Sequence, residues 1–116
     1  MLSELSSLKW DKRIVLVNNV QNKESVLALF KKNTTEINDR DIVWLIIEDD
    51  HAVTNYPGKL SEDSLNNTRN RYKVGQGEVI LVGKDGGVKS RFAHVDLEAI
   101  FLEIDAMPMR QIEMQN

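Results

Sequence analysis

The residues best equipped for chemistry in this chain form one short run, Glu48-Asp49-Asp50-His51, with His94 as a distant partner. Carboxylates suit hard cations and imidazole suits zinc or nickel, so the run invites a metal-site reading. The competing reading is a solvated acidic loop at the end of a strand. Other patterns fail on context. Gly75-Gln76-Gly77 precedes a strand, whereas a dinucleotide fingerprint follows one and opens a helix. Gly77 to Lys84 lacks phosphate-loop spacing, and Asp85 stands where that loop needs Ser or Thr. No serine sits in a Gly-x-Ser-x-Gly elbow. Asn33-Thr34-Thr35 and Asn66-Asn67-Thr68 match the glycosylation pattern, which matters only in a eukaryotic secretory chain. The chain has no cysteine. That removes disulfides, thiolate nucleophiles and Cys-ligated metal sites together.

The elements that must position these residues follow from hydrophobic periodicity. Residues 1–12 read as an N-terminal arm or short helix. Arg13-Ile14-Val15-Leu16-Val17 is a continuous apolar run with β-branched residues, as expected of a strand covered on both faces. Val26, Leu27, Leu29, Phe30 and Ile37 follow helical spacing, with Asn22 as the N-cap. Ile42 to Ile47 is a second buried strand, and Glu48 to Lys59 reads as a polar connection with a turn at Tyr56-Pro57-Gly58. Ser61-Glu62-Asp63 opens a helix carrying Leu65 and Tyr72. Val79 to Val82 and Val88 to Phe92 form a hairpin, whose Asp85-Gly86 pair is expected to supply the positive φ angles of a two-residue turn. Asp96 caps a last helix in which Leu97, Ile100, Phe101 and Ile104 repeat at i, i+3, i+4, i+7, and Pro108 limits it. Residues 111–116 read as a loose tail.

The order is β-α-β-α-β-β-α, which the thioredoxin fold shares with some other α/β sandwiches, and it is read as a thioredoxin-like sandwich in a single domain spanning residues 1–116. A right-handed crossover makes the first two strands parallel, which predicts a mixed four-stranded sheet in order 2-1-3-4. In such a fold the nucleophilic cysteine follows the first strand, where the helix dipole stabilises a thiolate. Here that stretch is Asn18-Asn19-Val20-Gln21-Asn22-Lys23, and Glu78 falls where thioredoxins place a cis-proline. Ligands favour the carboxyl ends of parallel strands. The candidate ligand or partner surface is therefore Asn19, Gln21, Asn22, Lys23, Gln76, Glu78 and Arg91. The alternative is that these residues only cap the helix and turn the chain. The order 2-1-3-4 also sets His51 and His94 on opposite edges, about 14 Å apart at ~4.8 Å per strand, against a shared ion. The sequence assigns no catalytic, cofactor-binding or metal-ligating residue.

Composition narrows the partners. The 116 residues are 41% hydrophobic and 28% charged with a net charge of −3, which is an ordinary globular balance. Nucleic-acid binders carry a basic excess that is lacking here. The apolar run Ile42 to Ile47 is too short to cross a bilayer. The segment Met1-Leu2-Ser3-Glu4-Leu5 lacks the basic stretch and apolar h-region expected of a signal peptide.

Three segments carry a family resemblance: Trp10 with Arg13 to Val17, Leu81-Val82-Gly83-Lys84-Asp85-Gly86-Gly87-Val88-Lys89, and Ile104-Asp105-Ala106-Met107-Pro108-Met109-Arg110 through Glu113-Met114. The last is the most specific. On them the chain resembles the peroxiredoxin-like domain of unknown function called DUDES, related to the domain of equarin and sushi-repeat matrix proteins, in its free-standing bacterial form. The resemblance implies a thioredoxin-like fold without an agreed activity, and for many members a periplasmic or secreted setting. The reading is a redox-inactive module that binds an unknown protein or a small anionic ligand, with no cofactor, no nucleic acid and no membrane insertion. The alternative is a carboxylate- or metal-dependent enzyme using the polar loops at the C-terminal ends of the parallel strands.

Overall fold

Six residues without a charged or small breaker between them, Ile14 to Val17 flanked by Arg13 and Asn18, form the central strand β1 (Arg13–Asn18), buried along its whole length. The fold is that of a computed structural model, in which residues 11–48, 51–56 and 62–115 are described. Residues 1–10 of the arm expected over 1–12, the Tyr56-Pro57-Gly58 turn beyond Tyr56, Ser61, and Asp49 and Asp50 lie outside them. β1 runs parallel to β2 (Ile42–Glu48), from Arg13 opposite Ile42 to Asn18 opposite Ile47. It pairs antiparallel with β4 (Val79–Val82), which continues antiparallel into β5 (Val88–Phe92).

The sheet has five strands, not four. Its order is β3-β2-β1-β4-β5, because His51–Thr54 forms an extra strand, β3, antiparallel to β2. The polar connection expected from Glu48 to Lys59 therefore contains the sheet's edge. Four residues with one apolar pair carry too little periodicity to signal a strand. Side chains extend the pairing beyond β3. Asn55 accepts from the Trp44 amide at 2.8 Å and donates to the Ile42 carbonyl at 3.0 Å. The remaining expected pairings are as read from the sequence.

Alternation along the central strands divides the core in two. Val15, Val17, Trp44, Ile46 and Leu81 face α1 (Lys23–Lys32), α2 (Thr34–Asp39) and α4 (Leu97–Asp105) through Val26, Phe30, Ile37, Ile100 and Ile104. Ile14, Leu16, Leu45, Ile80 and Val82 face α3 (Glu62–Tyr72) through Leu65 and Tyr72. The first expected helix is broken at Asn33, whose amide splits between the Leu29 and Phe30 carbonyls while its Nδ2 donates to Leu29 O at 2.8 Å. Asn22 does sit at the N-cap of α1, but its side chain makes no capping bond. Asp96 does cap α4, accepting from the Ala99 amide at 3.0 Å. Phe101 is only partly buried; it packs at the rim, with the Arg40 guanidinium carbon 4.4 Å from its ring centre.

Two further corrections concern the hairpin and the tail. Of the Asp85-Gly86 pair only Gly86 has positive φ, at 84°. The connection is longer than two residues: Gly86 donates to Gly83 O at 3.0 Å, Gly83 donates to Gly87 O at 2.9 Å, and the register shifts beside Val82. This is a turn followed by one left-handed residue and a bulge. The tail expected from 111 onward belongs to a helix, α5 (Pro108–Gln115), whose only buried residue is Arg110. Its apolar residues Met109, Ile112 and Met114 are exposed, so its apolar periodicity faces away from the core.

Candidate functional site

β1 and β2 end at Asn18 and Glu48, and β4 begins beside them at Val79, so the loops predicted to bind meet at one end of the sheet. Asn18 organises that end from inside. Buried, it donates Nδ2 to the carbonyls of Val74 and Gly75 at 3.4 and 3.1 Å, and its Oδ1 accepts from Arg69 Nε at 3.3 Å. Its backbone clamps the same loop, donating to Glu78 O at 3.0 Å and accepting from the Gly77 amide at 2.7 Å. Asn19 follows with φ of 51°, a left-handed conformation that Asn tolerates better than most residues. It donates its amide to Ile47 O, and its side chain meets that of Gln76 at 3.3 Å.

The seven candidate residues fall into two adjoining hollows and one ion pair. Asn19, Gln21, Asn22 and Gln76, with His94, line a hollow of about 320 Å³. Gln76, Glu78 and Arg91 line a second of about 360 Å³. Lys23 lines neither; its ammonium lies 3.2 Å from Glu48 Oε1. Glu78 and Arg91 are committed to each other at 2.7 Å, Glu78 also accepts the Gly75 amide, and Arg91 donates to Tyr72 O at 2.7 Å. What the first hollow offers is amide donors and acceptors with the His94 imidazole beside them, and no serine, threonine or cysteine among the residues that line it.

The metal reading of Glu48 to His51 does not gather a ligand set in the described residues. Glu48 is held between Lys23 and His51, the latter at 3.0 Å. His51 stands on the edge strand β3 and His94 follows the opposite edge, four strand spacings or roughly 19 Å away. Among the described residues no three His, Asp or Glu side chains are grouped to hold an ion.

Among the described residues the largest charged assembly lies at the other end, and sequence reasoning missed it. Arg13, Arg40, Lys84 and Arg110 are all buried there. Glu113 accepts both Arg13 Nη groups at 3.1 Å and Lys84 Nζ at 2.8 Å. Lys84 also donates to Asp41 at 2.9 Å. Asp105 accepts Arg40 at 3.1 and 2.8 Å and Arg110 at 3.1 Å, and Arg110 reaches Asp39 at 2.6 Å. The Arg40 hydrogen bond, reinforced by Arg110, holds Asp105 below the ordinary carboxylate range against the effect of burial. Burial alone raises Glu113, but Arg13 and Lys84 outweigh it and its net shift is downward. The three segments that carry the family resemblance converge here, through Arg13, through Lys84, and through Asp105, Arg110 and Glu113. That family-specific ending was the only signal in the sequence, because Arg13 and Glu113 are a hundred residues apart.

Residues 4–113 match a family described as a domain of unknown function, DUF4174. No curated protein matches the chain. Among solved structures, it is similar to a thioredoxin peroxidase I of Plasmodium yoelii, with a TM-score of 0.65 at 16% identity over 93% of this chain and 79% of that one. A reduced 2-Cys peroxiredoxin of Plasmodium vivax gives 0.64 at 13% identity over 93% and 72%. The mitochondrial 2-Cys peroxiredoxin of Plasmodium falciparum gives 0.58 at 14% identity over 88% and 79%. These likenesses establish a thioredoxin-like, peroxiredoxin-like fold.

Proposed function

We propose, for a chain that belongs to the DUF4174 family of domains of unknown function, a redox-inactive module that binds a protein or a small anionic ligand and catalyses no reaction. The observation that supports this reading is the content of the segment after β1. On a peroxiredoxin-like fold, the place where a thiolate would stand holds Asn18 to Lys23 in a chain without cysteine. An amide can donate and accept hydrogen bonds but cannot cycle between thiol and disulfide. The binding surface is the pair of hollows around Asn19, Gln21, Asn22, Gln76, Glu78 and Arg91, with Lys23 at its border. Because Lys23 is offset by Glu48 and Arg91 by Glu78, hydrogen bonds more than net positive charge would hold either partner. The net charge of −3 argues against nucleic acid, and among the described residues no helix is long and apolar enough to cross a membrane. Kinship with the free-standing bacterial relatives of the equarin domain rests on the three motif segments.

The test is catalytic. Insulin reduction with dithiothreitol, and hydroperoxide consumption with a thiol donor, should both proceed at the protein-free rate. Turnover in either assay would overturn the proposal. Calorimetric titration with zinc, nickel and magnesium addresses the enzyme alternative: saturable binding abolished by His51→Ala would move the function to Glu48 and its neighbours.

A further inference from the structure

The hairpin and the start of α5 enclose a cleft of about 390 Å³ at the end of the sheet opposite the proposed binding surface. Its walls are mostly hydrocarbon and thioether. Met107, Pro108 and Met109 form one side. On the other, the Lys89 stem lies across Gly83 so closely that a Cβ there would meet Lys89 Cε at 2.5 Å. Arg13 lines the cleft while being 1% exposed. Its Nη groups are taken by Glu113 and by the Arg40 carbonyl, but among the described residues its buried Nε has no hydrogen-bond partner. A buried donor left unpaired is destabilising, and an acceptor that displaced the cleft wall covering it would relieve it.

The helix end beside it is open in the same sense. Gln111 donates to Met107 O at 2.9 Å, which makes Met107 the N-cap residue of α5. Methionine has no oxygen with which to cap, and the amides of Met109 and Arg110 precede the first intrahelical bond. They add the positive end of the helix dipole to the side formed by Met107, Pro108 and Met109. Charge nearby is almost balanced. Lys84 is spent on Asp41 and Glu113, and Lys89 pairs with Asp85 at 2.7 Å on the surface. A near-neutral site with several donors suits a monoanion better than a doubly charged ion.

We propose that this cleft binds a small organic carboxylate, with its oxygens at Arg13 Nε and the first amides of α5 and its apolar body against Met107 and Met109. Flexible thioether walls adapt to the shape of such a body. The experiment is an amide and arginine-Nε NMR titration of the full chain, with benzoate as the probe and sulfate at matched ionic strength for comparison. Benzoate should shift Gly83, Met109, Arg110 and the Arg13 Nε–H saturably, at a concentration at least tenfold below any sulfate response. Met109→Glu, at a residue 37% exposed, should keep the folded spectrum and weaken benzoate at least tenfold. Shifts absent from these groups, equal responses to sulfate and benzoate, or binding untouched by Met109→Glu would each overturn the assignment.

Discussion

The two ends of the sheet use polar residues in opposite ways. At the end where β1 and β2 terminate, amides stand beside partly exposed ion pairs, and Gln21, Asn22 and Gln76 are exposed. At the other end the cations are buried, and Asp39, Asp41, Asp105 and Glu113 reach in to pair with them. An exposed amide contributes little to stability when replaced, since water substitutes for its partner. A buried cation whose carboxylate is removed keeps its desolvation cost with nothing to offset it. The comparison teaches that the most recognisable part of this sequence, Asp105 through Glu113, holds the fold together. The loop after β1, at the other end, carries amides and no thiol.

The largest effect that would test this contrast is expected from Arg110→Ala. It strips Asp39 and Asp105 of a shared partner and should lower stability by roughly 2–3 kcal/mol. That is below the cost for a fully buried pair, because Asp39 stays solvated and Asp105 keeps Arg40. A urea midpoint unchanged by this variant would show that the far end is not a latch. Asn18→Ala comes next, at about 1–2 kcal/mol, because it leaves the carbonyls of Val74 and Gly75 short of a donor. If that loss equalled or exceeded the Arg110 effect, the two ends would be equally structural and the contrast would fail.

Acid should act on one end selectively. Asp105 and Glu113 have folded pKa values below their ordinary ones, so the unfolded chain takes up these protons first as pH falls. Their stabilisation is complete above the unfolded values of about 4 and is lost as pH drops through the lower folded values. Denaturation midpoints measured downward from pH 7 should therefore fall across this range, and less steeply in Glu113→Gln. Identical slopes in the two proteins would remove Glu113 from the account. The smallest effect belongs to the end that holds the loop after β1. Asn22→Ala should change stability by about 0.5 kcal/mol or less, since no capping bond is lost. A drop above 1 kcal/mol in thermal or urea unfolding would mean that Asn22 supports α1 in some other way.

Much of the fold was legible because it rests on short-range pattern. Continuous β-branched runs marked β1, β2 and β4, and Asp96 with its i, i+3, i+4, i+7 followers marked α4. The misses share a cause: in each, contacts distant in sequence overrode a weak local signal. β3 is four residues that become a strand only because β2 has an open edge and Asn55 continues the ladder. α5 escaped notice because its inward residue is Arg110 and its apolar residues point outward, the inverse of the pattern by which a helix is read.

The sequence by itself determined the absence of thiol chemistry, the alternation of strands and helices, and the polar content of the loop after β1. These depend on residue identity and on neighbours a few positions away. Only the tertiary structure decided which polar groups became partners. It gave Lys23 to Glu48 and took it from the hollow, placed His51 and His94 across the width of the sheet, and drew Arg13, Lys84 and Glu113 into one buried cluster. An ion pair has no sequence period. It forms wherever the packing of the two layers on the sheet brings opposite charges within reach and shuts out the water that would otherwise have solvated them.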